Sequence, residues 1–211
     1  MDQALADLQR DFETFRKECE NLCLLKNQHE DLFTSGAETS APLRETAEAF
    51  FDDLHHWMAE LFFLKVYRLT DTAAFKGKRG QPDRHNLTVQ HLVNRLKSLG
   101  RLTDRIQQLA DRLHAYRKHM ILPRNRQIAH HDLETARHSG SMGAHSAEEY
   151  VQFFADLQQF HDEVAKALGL NPCMFINISS PGTGDALDLI QFLRLARWHG
   201  TNPSDGPSDP T

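Results

Sequence analysis

Apolar residues recur at steps of three and four along most of this chain, and that periodicity restricts the fold more than any other feature. Leu5, Leu8, Phe12, Phe15, Cys19 and Leu22 make one such seam, the pattern of a helix packed at a shallow angle on its neighbours. It predicts a helix running to about Phe33, ended by Thr34-Ser35-Gly36. Ser40-Ala41-Pro42 reads as the next helix entry. Beyond it, Ala47, Phe50, Phe51, Leu54, Trp57, Met58, Leu61 and Phe62 form a stripe broad enough for the centre of a core. A third helix is predicted from Asn86 or Thr88 to Ser98, with Gly100 at its C-terminal end. A fourth carries Leu102, Ile106, Leu109, Leu113, Tyr116 and Met120.

After a Gly/Ser loop at His138–Ala144, Ser146-Ala147-Glu148-Glu149 is a capping box. The helix it opens turns Tyr150, Phe153, Phe154, Leu157, Phe160, Val164 and Leu168 inward and closes at Gly169. A last helix spans about Asp185 to Trp198. Phe175-Ile176-Asn177-Ile178 is β-prone but too isolated to make a sheet. There is no internal repeat, no strand–helix alternation and no Gly-rich phosphate loop. The fold class is therefore all-α, a bundle of about five to seven helices, with residues 1–199 as one domain. Residues 200–211, with three prolines, read as a disordered tail.

A chain of 211 residues can bury a full core without staples. No run approaches the roughly 20 apolar residues of a membrane span, so no membrane association is expected. Met1-Asp2-Gln3 opens into an acidic amphipathic helix with no secretory signal, which predicts a cytoplasmic protein. Three cysteines, with Cys19 and Cys23 four apart on one helix, then read as reduced thiols.

The net charge of −5 argues against a generic nucleic-acid binder, but its distribution is uneven. Residues 1–64 carry a balance of −9, residues 65–126 one of +11, and residues 127–211 one of −7. The basic segment includes a loop over residues 72–86 with Lys76, Lys78 and Arg79. Two readings follow: acidic and basic helices pair within the fold, or a basic patch faces an RNA backbone.

The basic segment leads into Leu122-Pro123-Arg124-Asn125-Arg126-Gln127-Ile128-Ala129-His130-His131-Asp132. Pro123 suits a new helical start, because its missing N–H is harmless in a first turn. Arg124 is permanently charged and forks onto phosphate oxygens, while a histidine with an unperturbed pKa near ~6.5 passes protons at neutral pH. Those are the two parts needed to break a phosphodiester without a metal: a proton carrier, and a cation for the charge that builds on phosphorus. A helix turns ~100° per residue, so His131 lies within about 20° of Arg124 and His130 about 120° away. Geometry alone thus favours His131 as the partner of Arg124.

The same stretch resembles the signature of the HEPN superfamily, an Arg, four to six residues, then a His; Arg124 and His130 fit with five between them. The wording Arg-Asn-x-x-x-Ala-His-x-Asp is similar to the AbiU-type branch, named for abortive phage infection. Leu64-Lys65-Val66-Tyr67-Arg68-Leu69-Thr70-Asp71, followed by Asn86-Leu87-Thr88, resembles that branch's helix ending in Arg-Leu-x-Asp, a loop, and Asn-Leu-Thr opening the next helix. The resemblance covers roughly Phe50 to Asp132. It implies a HEPN-like bundle, a homodimer pairing two motif copies, and RNA cleavage of the toxin–antitoxin or phage-defence kind without a cofactor or metal. It implies His130 rather than His131 as general base or acid, Arg124 neutralising the phosphorane, and Asn125 orienting the Arg or the phosphate. Arg126, four residues from His130, would hold a second phosphate. A cognate antitoxin is among the implied partners. Some HEPN toxins carry a Tyr two residues after the His, where a transferase modifies them; this chain has Asp132 there.

Two other classes compete. One is a catalytically inactive HEPN-type dimer that binds RNA or protein, since a fold does not guarantee turnover. The other is a metal-binding bundle, suggested by thirteen histidines and by Asp52-x-x-His55 and Asp111-x-x-His114. The usual ligand there is Glu, and no matching Glu pair is evident, so no metal ligands are assigned.

Overall fold

In a computed structural model, residues 3–75, 84–123, 145–175 and 184–201 are described. Among them are six helices: α1 (Gln3–Phe33), α2 (Ala37–Leu69), α3 (Val89–Ser98), α4 (Asp104–Pro123), α5 (Ala147–Ala167) and α6 (Ala186–Thr201). The architecture is an all-α bundle, as the periodicity requires. None of the described helices is long and apolar enough to cross a membrane. The predicted ends of α1 and α3 hold, with Gly36 at φ 106° and Gly100 at φ 64°, left-handed values that glycine adopts without a Cβ penalty. Thr88 caps α3 by accepting from the His91 amide at 3.2 Å. Ser146 and Glu149 form the reciprocal capping box of α5.

One element that the sequence reading lacked is a two-residue antiparallel ladder, β1 (Ala74–Phe75) against β2 (Arg84–His85). It closes the base of the predicted loop, and the Asn86 amide donates to the Ala73 carbonyl at 2.8 Å.

The chain divides into two compact units. The first comprises Met1–Cys23 and Ala59–Asn177. Its core draws on each of its helices: Phe12 and Phe15 from α1, Val66 from α2, Leu92 and Leu96 from α3, Leu109 and Leu113 from α4, Leu157 and Phe160 from α5. Here α4 packs along α5 and against α3. Arg112 of α4 reaches the buried Asp156 of α5 at 2.9 Å, and Gln152 donates to the same carboxylate. Asp156 is thus buried with two partners, as a charge in that position requires.

The second unit comprises Leu24–Met58 and Ile178–Thr211. Its core joins Leu32, Leu43, Phe51, Met58, Ala186 and Ile190. Two details of α2 differ from expectation. The helix begins at Ala37, before Pro42, and its backbone breaks at Ala47, with φ −161° and ψ 70°. Pro42 has no N–H for the carbonyl of Glu38, and the Arg194 guanidinium takes that oxygen at 2.9 Å instead. The Thr46 hydroxyl, directly before the break, bonds back to the Pro42 carbonyl at 2.7 Å.

The stripe on α2 is also narrower than predicted. Phe51 and Met58 are buried, but Phe50, Trp57 and Leu61 are exposed. These three lie roughly 80–120° round the axis from Phe51, so a partner helix that covers one flank of a wide stripe leaves the other flank in solvent.

Phe160 is fully buried, with its ring edge-on to Phe15 at 6.0 Å. Phe160→Ala is expected to cost about 3–5 kcal/mol, the penalty for emptying a well-packed aromatic site. Urea unfolding followed by helical circular dichroism measures it.

Candidate functional site

The stretches Leu64–Asp71 and Asn86–Thr88 meet at the C-terminal end of α2. Thr70 ends that helix by returning its hydroxyl to the Val66 carbonyl at 2.8 Å. Asp71 accepts from the Thr72 amide at 2.8 Å, which fixes the turn. The Asn86 side-chain amide then reaches the Thr72 carbonyl at 3.4 Å, alongside the backbone bond from Asn86 to Ala73. Asn86 thereby ties the far side of the loop to the end of α2, and Thr88 starts α3 two residues later. Asp71, Asn86 and Thr88 are each needed for a stated hydrogen bond.

Across from this turn lies the polar face of α4. The Arg117 guanidinium pairs with Asp71 at 2.6 Å and donates to the Tyr67 hydroxyl at 2.7 Å, while lying 4.4 Å from the centre of the Tyr67 ring. One turn earlier, His114 Nδ1 donates to the Thr70 carbonyl at 3.0 Å. Its ring is the tautomer protonated on Nδ1, and burial is the main reason its pKa is lowered. The Thr70 carbonyl opposes that shift, the Arg117 charge adds to it, and Asp111 opposes it. Arg117 was not singled out from sequence. The available signal was its spacing of three from His114 on the face beside the apolar seam.

Beside this junction is a cleft of about 360 Å³ lined by Thr14, Glu18, Lys65, Arg68, Leu69, Asp71, His85, Asn86 and Leu87. Lys65 pairs with Glu18 at 3.7 Å, and Arg68 is exposed. Lys76, Lys78 and Arg79 belong to the loop between β1 and β2 and lie outside the described residues.

The catalytic candidates Arg124, Asn125 and His130, with Arg126 and His131, also lie outside the described residues. What is described is the frame from which their segment leaves and to which it returns. α4 extends to Pro123, one residue before Arg124, and the chain is again described from His145. The His145 ring lies 5.7 Å from Tyr116 of α4 and stacks on Tyr150 of α5 at 5.6 Å. Tyr116 itself stacks on Phe153 at 4.4 Å, and His119 sits 3.4 Å from Glu149. Burial, and then the Glu149 carboxylate, push the Tyr116 phenol well above its ordinary range. Tyr116, His119 and His145 are therefore gathered about the start of α5.

Among the described residues no group of three His, Cys, Asp or Glu side chains is placed to hold a metal ion. His114 Nδ1 is bonded to the Thr70 carbonyl, Asp111 accepts from Gln107 at 2.8 Å, and the His55 ring packs at a tilt against His29 and Phe33.

The family model HEPN_AbiU2, described as AbiU2, matches residues 5–173. No curated protein matches the chain significantly, and no solved structure does.

Asp71 and Arg117 are both largely buried, so removing one leaves the other's charge unpaired. Asp71→Ala is expected to cost about 3 kcal/mol, and adding Arg117→Met should recover part of it; urea titration of both variants checks this. A second expectation concerns pH. Folding lowers the proton affinity of His114, and burial lowers that of His29 and His161 in the same direction. As pH falls through about 6.5, the unfolded chain binds those protons first and stability declines, levelling only when the folded histidines protonate. Melting temperature should drop from pH 7.5 towards ~5.5, with a shallower slope in His114→Gln.

Proposed function

The chain belongs to the AbiU2 family of HEPN proteins, and from that premise we propose that it is a metal-independent endoribonuclease of the toxin or phage-defence type. The observation that carries the reading is that the family match spans residues 5–173 and so includes the entire Arg124–His131 pattern. His130 takes the proton of a ribose 2′-hydroxyl or returns one to the leaving 5′-oxygen. Arg124 neutralises the pentacoordinate phosphorane, and Asn125 orients Arg124 or the phosphate. The products are a 2′,3′-cyclic phosphate and a 5′-hydroxyl. His131 is the alternative proton carrier, and Arg126 holds a neighbouring phosphate.

Two copies pair through the helices that lead into the motif, so that both motifs share one cleft and its positive charge. The junction of Asp71, Arg117 and His114 supports this by fixing α4, the helix that leads into Arg124, against the end of α2. The protein acts in the cytoplasm on RNA drawn in by Lys76, Lys78 and Arg79, and a cognate antitoxin restrains it. Those three cations bind phosphate without taking part in the chemistry, so their loss weakens binding and its salt dependence alone.

The test is cleavage of a single-stranded RNA in excess chelator by a protein whose mass is checked by light scattering. We expect a dimer that cuts, with an optimum where a histidine is partly neutral. His130→Ala should lower turnover by about 10²–10⁴ with RNA binding retained, and Arg124→Ala should impair both. A larger loss in His131→Ala would transfer the proton-carrying role to His131. Wild-type protein that binds RNA as a dimer but leaves it intact would identify a non-catalytic binding module.

A further inference from the structure

In the first unit two side chains, His161 and Arg16, converge on a thiol, and a third, Asp162, orients one of them. Cys173 lies in the stretch that follows α5, between exposed Pro172 and exposed Met174, and is itself half-buried. Its sulfur is turned inward. His161 Nε2 lies 3.7 Å from Sγ, and Arg16 Nη1 donates to Sγ from 3.9 Å. The imidazole is in turn oriented by Asp162, whose carboxylate accepts from Nδ1 at 3.0 Å. With the proton on Nδ1, the lone pair of Nε2 faces the thiol. The ring cannot swing away, because it stacks on Phe12 at 4.9 Å and meets Phe175 edge-on at 5.0 Å, and it has no exposed surface.

The thiol is held as firmly as the base. Gln158 of α5 donates to the Cys173 carbonyl at 2.9 Å and accepts from the Phe175 amide at 3.0 Å, so both sides of Cys173 are tied to the helix that carries His161. The same Gln158 amide nitrogen also donates to Asp162 at 2.8 Å. A nucleophile beside a base, the base beside a carboxylate, and a guanidinium on the sulfur form the arrangement that activates cysteine in general.

We propose that Cys173 is a reactive thiol activated by His161, Asp162 and Arg16, and a site of modification by low-molecular-weight disulfides. In the step, His161 Nε2 takes the thiol proton as Sγ attacks one sulfur of R–S–S–R. The S–S bond breaks, a Cys173–S–S–R bond forms, and the departing RS⁻ leaves as RSH with the proton from the imidazolium. Arg16 stabilises the thiolate that develops on Sγ, and Asp162 the imidazolium. The other two cysteines do not compete: Cys19 and Cys23 are fully buried, and burial holds the Cys19 thiol well above its ordinary range. Glu13 and Glu20 also face this group, engaged with Arg16 at 2.6 and 3.5 Å respectively. Modification would displace Sγ from Arg16 and His161, and so load the buried Phe175 contact two residues on.

Dithiodipyridine is the probe, because its neutral, chromophoric leaving group reports each exchange. At pH 7 the full chain is expected to release one equivalent in a fast phase, and peptide mapping should find the adduct on Cys173. That phase should be at least about tenfold faster than exchange of the same cysteine in urea-unfolded chain, and Cys173→Ser should remove it. Asp162→Asn and Arg16→Gln should each slow it by about tenfold with the helical spectrum unchanged. The readout is independent of RNA cleavage. A Cys173 that reacts no faster folded than unfolded would overturn the proposal, as would a fast phase that both variants leave unchanged.

Discussion

The ion pair between Arg117 and Asp71 decides where α4 can lie. Neither charge reaches bulk water freely, so each is tolerable only where the other stands. Asp71 is also the turn residue that ends α2, and Arg117 is also spread over the Tyr67 ring. The position of α4 along its axis is therefore coupled to the place where α2 stops. His114 repeats the constraint one turn earlier by spending its Nδ1 proton on the Thr70 carbonyl. Apolar packing against α5 would alone tolerate some sliding of one helix on the other. Polar contacts with fixed geometry do not, and they stand in the C-terminal half of α4, the helix that leads into Arg124.

Around the same end the chain uses rings rather than charges. Tyr116 stacks on Phe153 and His145 on Tyr150, and the Tyr116 and His145 rings meet at a tilt, so the start of α5 is fastened to α4.

The thiol site rests on different physics. His161 is buried without exposure and would be costly as a lone polar group, yet each nitrogen has a partner, Asp162 on one side and Cys173 on the other. Removing either would leave an unsatisfied imidazole in an aromatic surround. Structural satisfaction and thiol activation therefore share the same contacts, and the two are separable only by rate, which is why a carboxylate-to-amide change at Asp162 is informative.

Much of the bundle was legible in the residues. Periodicity gave the seams of α1, α4 and α5, because a helix that buries one face must repeat its apolar residues at that spacing. Capping chemistry gave the starts of α3 and α5, since Thr88 and Ser146 satisfy amides a few residues away. The family wording around Arg68–Asp71 and Asn86–Thr88 was legible as well. What those residues do was not, because Asn86 bonds fourteen residues back and Asp71 pairs forty-six residues ahead. The width of the α2 stripe misled for a related reason: sequence gives the apolar arc, and only neighbouring helices decide which part of it is covered. Cys173 carried no local signal at all. Its base and carboxylate are twelve and eleven residues upstream and its guanidinium lies on α1. Local hydrogen bonding and helical period are properties of the sequence, whereas the meeting of distant charges, and the choice of which apolar surface stays dry, exist only once the chain has packed.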